Sequence, residues 1–506
     1  MFPSSHQRRA PVPVYTKSLL ISLASFLCFA PQVSASPAAD RLLSPDQVHA
    51  DIDLAAETYR RIHPGYERYT PAKDIEAAWE SVKQRAVEDQ GLSVADFYLE
   101  VERVLTLIRC DHTKAELPRA LKAERKADPV YLPLRWQWVE ERGIIVIAEA
   151  ETGLAPGDEI LSIDGRPLKD MVSDVRPLIP VDGFASWSAD AGVSESLEFM
   201  GGAVDHFGAL LWDIQPDAEL IIERANGQRA TLEVARVSFD AWTDLGRDAG
   251  RAADFKDAVT FEKIGTNAGY LRVDTFVNYR QPVDPDEIYE PIFKALKTDG
   301  RDTLVLDLRQ NGGGSSDAQM GLLRHLIETP VTPIRNICAR TLNLDGLREH
   351  LWTWDKRALK PNRMGFKRTS DGEYCLRTFV DSDLKKKKPA KQAFDGDLII
   401  LTSRANSSAS TSLIAILKEH RPVTLVGDVA GGSPNGPTAG VQFTLTLPES
   451  GIQTRVPFLR YFNNVSGFED GFGLKPDIQV EETASAVREG RDLALETAKQ
   501  LVAKKS

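Results

Sequence analysis

The sequence predicts an α/β fold, and three observations carry that prediction. Asp302 to Leu308 (DTLVLDL) and Leu398 to Thr402 (LIILT) are continuous apolar runs of strand length, as expected for strands buried on both faces of a mainly parallel sheet. Between LIILT and the next such run, PVTLVGD, the residues Leu413, Ile414, Ile416 and Leu417 space as a helix that stops near Arg421-Pro422. Repeated alternation of strand and helix implies layered α/β architecture.

The chain opens with a segment that reads as an export leader. Arg8, Arg9 and Lys17 supply a basic start, Leu19 to Ala30 an apolar run, and Val33-Ser34-Ala35 small residues suited to cleavage before Ser36. A leader over residues 1–35 predicts a periplasmic or secreted protein. Its removal takes away three basic and no acidic side chains, so the net charge of −11 becomes −14. So acidic a chain is a poor partner for nucleic acid or an anionic membrane. No later apolar run reaches the ~18 residues of a membrane span, so no stable membrane insertion is expected.

Residues 37–128 read as a helical N-terminal cap. The turn HPGYERYTP is followed by IEAAWESVKQRAV and VADFYLEVERVLTLI, both with helical periodicity. Residues 129–238 read as β-rich: GLAPGDEILSIDG sets Pro-Gly and Asp-Gly turns around a short strand, and LIIERANGQRATLEVARV is a hairpin with an Asn-Gly turn. The GLAPGDEILSIDG segment resembles the core of a PDZ domain, a module that binds extended chain ends by strand addition. A long stretch from Val172 to Asp213 interrupts it, and its aromatics, including Phe199 and Phe207, are expected in a core. Residues 255–482 hold the α/β core, with an insertion over 330–392 that is expected to be a lid or wall. Lys385 to Lys388, within it, read as solvated. Residues 484–506 read as a C-terminal amphipathic helix.

Four cysteines include Cys28 in the leader, leaving an odd three and so one free thiol. Cys338 and Cys375 flank the insertion and are candidates to pair. Neither CxxC nor HExxH occurs, so no metal site is predicted.

Two segments suggest chemistry. The turn after LIILT, SRANSSAS, delivers serines to a helix N-terminus, where unpaired N–H groups and the helix dipole favour negative charge. Serines there serve either as caps or as a nucleophile whose oxyanion those N–H groups receive. The strand DTLVLDL runs into Arg309-Gln310-Asn311 and three glycines, a loop whose backbone can approach a ligand closely. It lacks the lysine of a phosphate-binding loop.

Taken in order, LRQNGG, LTSRANSSAS, VGD-x-A-GG and GLKPD resemble the S41 peptidase family, which includes C-terminal processing proteases and tricorn-like serine proteases. The resemblance implies a Clp-protease/crotonase-like core of ββα units carrying a helical N-terminal cap and an inserted PDZ-like domain. It places the nucleophile on Ser408 and the oxyanion donors on the N–H groups of Ala409 and Gly313, with Gly312 as the alternative. The lysine used by the processing-protease branch is replaced by Ser433, and Lys418 reads as a solvated helix residue. The tricorn-like branch instead takes a histidine from a motif similar to Leu107-Ile108-Arg109-Cys110-Asp111-His112-Thr113, which makes His112 the general base. An acid before the GLKPD element completes the set: Asp470, with Glu469 as the alternative. The leader and the resemblance together imply an exported serine endopeptidase acting on peptides or proteins without metal or organic cofactor. A non-catalytic binding or scaffold protein on the same fold, and an acyl hydrolase acting on esters, are the other readings.

Overall fold

A computed structural model describes residues 38–196, 198–246 and 254–505. The leader segment lies outside the described residues. Among those described, no helix is long and apolar enough to cross a membrane.

The central layer is a six-stranded sheet in the order Val259–Ile264, Ala268–Val273, Thr303–Asp307, Asp397–Thr402, Thr424–Gly427, Ile478–Gln479. The first pair is antiparallel and every later pair is parallel. Thr303–Asp307 is buried at every position, which is why it reads as an unbroken apolar run. In register, Leu306 faces Ile400 and Ile400 faces Leu425, so the strand ends align along one edge. The loops carrying the glycines and the serines both leave from that edge. Binding sites in open α/β sheets form at the carboxyl ends of parallel strands.

A second, antiparallel sheet packs beside it. Its order is Leu351–Trp352, Thr438–Thr446, Gln453–Asn463, Ile334–Ala339, Tyr374–Leu376, Phe366–Arg368. The stretch expected to be an insertion therefore supplies strands at both edges of this sheet. A disulfide joins Cys338 to Cys375, which sit opposite one another in the ladder, and Cys110 is the buried free thiol.

The N-terminal segment forms helices Pro45–Ile62, Ala72–Glu88, Val94–Thr106 and Arg119–Ala127. Ser44 and Gln47 cap the first reciprocally. The short strand Ala115–Glu116 then pairs with Thr454 and Gln453 of the second sheet. That pairing fixes the preceding loop, Arg109 to Thr113, against the core.

Residues 134–235 build an antiparallel sheet in the order Leu134–Val139, Arg142–Ala148, Glu159–Ile163, Asp217–Glu223, Arg229–Ala235. The Asn-Gly turn closes its last hairpin, with Gly227 at φ 82°. The interrupting stretch includes helix Ala203–Leu211, and its Phe207 is fully buried.

The C-terminal tail is two helices rather than one, Ala484–Glu489 and Leu493–Lys505. Gly490 adopts φ 63° and ends the first with paired caps, Gly490 N–H to Val487 and Arg491 N–H to Ala486. A left-handed glycine after the last turn is the ordinary helix stop, and the apolar periodicity on either side masks it in the sequence.

Candidate active site

The serine turn is held by its neighbours before it does any chemistry. Buried Asn406 donates to the carbonyls of Leu308 (2.6 Å) and Asn311 (3.2 Å), tying the turn to the glycine loop. Ser403 Oγ donates to the Arg309 carbonyl at 2.6 Å. From the other side Thr411 Oγ1 donates to the Gly431 carbonyl at 2.8 Å, and a Cβ on Gly432 would come within 3.1 Å of Ser407 Cα. The VGD-x-A-GG segment is thus a wall against which the turn is packed.

The helix begins at Ser408, and Ser408 itself has φ +49°. Non-glycine residues rarely adopt the left-handed region, and such outliers concentrate at functional sites. Ser407 is the N-cap by position, but its hydroxyl makes no cap bond. It donates instead to Asp111 Oδ2.

Ser408 Oγ lies 3.1 Å from His112 Nε2, although 296 residues separate them in sequence. On the far side of the ring, His112 Nδ1 and Asp111 Oδ1 are 2.6 Å apart. Adjacent residues cannot align that pair along the N–H axis, and neither atom has another hydrogen-bond partner. The contact is therefore electrostatic rather than a well-directed hydrogen bond. Burial alone would lower the His112 pKa, but the Asp111 carboxylate outweighs it and holds the imidazole well above the ordinary histidine range. Burial likewise opposes ionisation of Asp111, yet His112 and Ser407 together keep its carboxyl below the usual value.

The loop carrying Asp111 and His112 is clamped. His63, fully buried, receives the Gly65 N–H on Nδ1 (3.1 Å), which leaves Nε2 to donate to Thr113 Oγ1 (2.8 Å). Burial drives the His63 pKa down to about 3, so it stays neutral. Cys110 Sγ faces the Thr438 carbonyl at 3.6 Å.

The glycine loop meets the serine directly. Gly313 has φ +110°, and a Cβ there would lie 2.8 Å from Ser408 Cβ and 3.0 Å from Ala409 N. Its N–H, however, donates to Asn311 Oδ1 at 2.9 Å. The N–H groups of Ala409 and Gly312 make no such bond among the described residues, and a Cβ on Gly312 would meet little but the Ala405 carbonyl at 3.8 Å.

Asp470 is not brought to the imidazole. It pairs with Arg68 at 2.5 Å and accepts from Ser433 Oγ at 3.3 Å, while Arg68 also donates to Ser433 Oγ and the Gly436 carbonyl. Glu469 is exposed. Lys418 pairs with Asp477 at 2.8 Å on the far part of the helix. The acid at the imidazole is instead Asp111, and a second, buried acid, Asp182, interacts with it through its charge. Asp182 is 3% exposed. Burial, then repulsion from Asp111, push its carboxyl up to about 7, partly offset by Arg68 and His112. Its position next to a hydrophobic run gave no sequence signal.

Two sets of potential metal ligands occur among the described residues: Cys110, Asp111 and His112, and Cys338, Glu373 and Cys375. In the first the imidazole and carboxylate are engaged with Ser408 and Ser407; in the second both thiols form the disulfide.

With that geometry in view, the comparisons define a class. Residues 267–480 match peptidase family S41, and residues 128–235 match the PDZ domain. The matches mark a segment similar to peptidase family S41 with a PDZ-like segment ahead of it. Among curated proteins the chain is similar to a tail-specific protease of Haemophilus influenzae, 22% identical over 283 residues, covering 54% of this chain and 34% of that protein. The chain thus spans about a third of the length of the curated relative it matches. Among solved structures, mature CPAF superimposes with a TM-score of 0.60 at 17% identity, covering 91% of this chain and 97% of that one. Mature CPAF complexed with lactacystin gives 0.59 at 16%, covering 91% and 98%. These likenesses establish the fold.

Proposed function

We propose that this chain is an exported serine endopeptidase of the S41 type, with Ser408 as nucleophile and His112 as general base. The observation that carries the reading is the strained Ser408 at a helix N-terminus with its Oγ 3.1 Å from His112 Nε2. Ser408 attacks the peptide carbonyl, and His112 takes the hydroxyl proton and returns it to the leaving amine. Asp111, rather than Asp470, stabilises the imidazolium, and Ser407 holds Asp111 in place. Ala409 N–H, with Gly312 N–H, receives the tetrahedral oxyanion. Gly313 contributes by lacking a side chain where the serine needs room.

Substrates are peptide or protein chains, and the name of the Haemophilus influenzae relative suggests chain ends. A cleft of about 1610 Å³ runs between the PDZ segment and the core. It is lined by the edge strand Leu134–Val139 on one side and by Tyr270, Arg309 and Arg404 on the other. An edge strand facing such a cleft suits an extended chain added by main-chain pairing. The cleft stops short of Ser408, so it serves approach rather than chemistry.

A fluorophosphonate probe tests the reading. Wild type is expected to label, and Ser408→Ala and His112→Ala are expected not to. A peptide panel run beside an ester panel separates a peptidase from an acyl hydrolase. A folded wild type that never labels would return the chain to the scaffold reading.

A further inference from the structure

Charge is distributed very unevenly along this chain. Residues 330–392 contain 15 Lys and Arg against 7 Asp and Glu, in a chain whose totals are 62 and 73. The strands of this stretch place part of that excess on one edge of the second sheet, at the hairpin Phe366–Arg368 and Tyr374–Leu376. A groove of about 870 Å³ opens there. Lys367, Arg368, Arg377 and Lys385 line it, and no acid does. None of the four has an ion-pair partner among the described residues, whereas nearby Lys387 is paired with Asp383 at 3.1 Å.

Cations on an edge strand commonly just guard it against pairing with another sheet. The neighbours of this edge argue against that role. Met364 is 79% exposed and Phe379 72%, with Val380 exposed beside them. They lie together: Arg377 N–H donates to the Gly365 carbonyl, and a Cβ on Gly365 would touch Val380 at 3.4 Å. A guard strand gains nothing from protruding apolar side chains. Unpaired cations beside exposed apolar tips match an anionic bilayer surface, where the cations meet phosphates and the tips enter the acyl boundary. The Cys338–Cys375 disulfide holds the hairpin rigidly to the sheet.

We propose that this edge, with Lys367, Arg368, Arg377 and Lys385 around the groove and Met364 and Phe379 at its rim, is a peripheral docking site for anionic phospholipid. The whole-chain charge hides this, because attraction acts only within about a Debye length, ~10 Å at ~0.1 M salt. The site is separate from Ser408, so it does not depend on the proposed catalysis.

Co-sedimentation of the full chain with vesicles tests it. Phosphatidylglycerol vesicles are expected to carry the protein down and phosphatidylcholine vesicles are not, with release as salt is raised. Lys367→Gln and Arg377→Gln are each expected to weaken partitioning about fivefold. Met364→Ser with Phe379→Ser weakens it without changing the salt slope. Far-ultraviolet circular dichroism serves as the folding control for every variant, so the test stands whether or not Ser408 is catalytic. The proposal is overturned by no sedimentation with either vesicle, sedimentation unaffected by these substitutions, equal binding to both lipids, or full displacement by millimolar inorganic phosphate, which marks a small-anion site. Salt-sensitive self-association in place of vesicle binding overturns it as well.

Discussion

Replacing Asp111 by Asn removes the charge beside His112 while keeping the side chain's shape and its acceptor for Ser407. The separation of 2.6 Å sets the scale. At an effective dielectric of ~20 the pair interacts by about 6 kcal/mol before burial is charged against it. If roughly half of that survives as stabilisation of the imidazolium in the transition state, the loss is about 3 kcal/mol, or about two powers of ten in rate. Removing the acid of a comparable triad gives losses up to ~10⁴, so the expected range is roughly 10²–10⁴. The assay is the second-order rate of fluorophosphonate labelling across pH, which needs no substrate. His112 must be neutral to act, and Asp111 raises its pKa. Wild-type labelling is therefore lost as pH falls through a midpoint above the ordinary ~6.5. In Asp111→Asn the residual labelling has its midpoint shifted to lower pH, because burial is then opposed only by the smaller effect of Cys110. Asp470→Asn, in parallel, is expected to label within a few-fold of wild type and to lose stability through Arg68. Wild-type rate and pH limb in Asp111→Asn, or collapse of labelling in a folded Asp470→Asn, would refute the assignment.

Other consequences follow from single contacts. Gly313→Ala combines φ +110° with a contact of 2.8 Å to Ser408 Cβ and should abolish labelling while the fold, followed by circular dichroism, persists. Lys418→Ala should label at the wild-type rate, since its amine is engaged with Asp477. Cys338→Ala with Cys375→Ala opens a loop spanning 37 residues, and a urea titration should show a loss of up to about 4 kcal/mol on the chain-entropy estimate. Asp182, whose carboxyl is raised to about 7, favours the fold while protonated; that stability is present below the unfolded value and lost as pH rises through about 7. Asp182→Asn should therefore show a higher melting temperature than wild type above pH 7, and a flatter pH dependence.

The sheet was legible because its central strands are buried on both faces, so DTLVLDL and LIILT announce themselves without long-range information. The pairing of Ser408 with His112 was reachable only through family resemblance. Nothing local in DHT marks a base, and what positions it is the remote pairing of Ala115 with Thr454 and the clamp from His63. The expected third group, Asp470, does not reach the imidazole for a related reason. Asp470 stands where the resemblance expects an acid, but Arg68, from a different helix–turn, captures it. Asp111 stood in plain view, yet adjacency to His112 gives it no periodic or motif signal. The same limit applies to Gly313, whose N–H is consumed by Asn311, a contact set by loop conformation rather than by residue type. The lysine-rich stretch read as solvated is largely so, with Lys385, Lys386 and Lys388 exposed, but charge in sequence did not reveal that Lys385 shares a concave surface with Lys367, Arg368 and Arg377.

The most direct test of the central claim is peptide mapping of the fluorophosphonate adduct on the purified chain, beside Ser408→Ala and His112→Ala. The account predicts a single adduct on Ser408 in wild type and none in either variant. An adduct on Ser407 or Ser410, or undiminished labelling in His112→Ala, would contradict it.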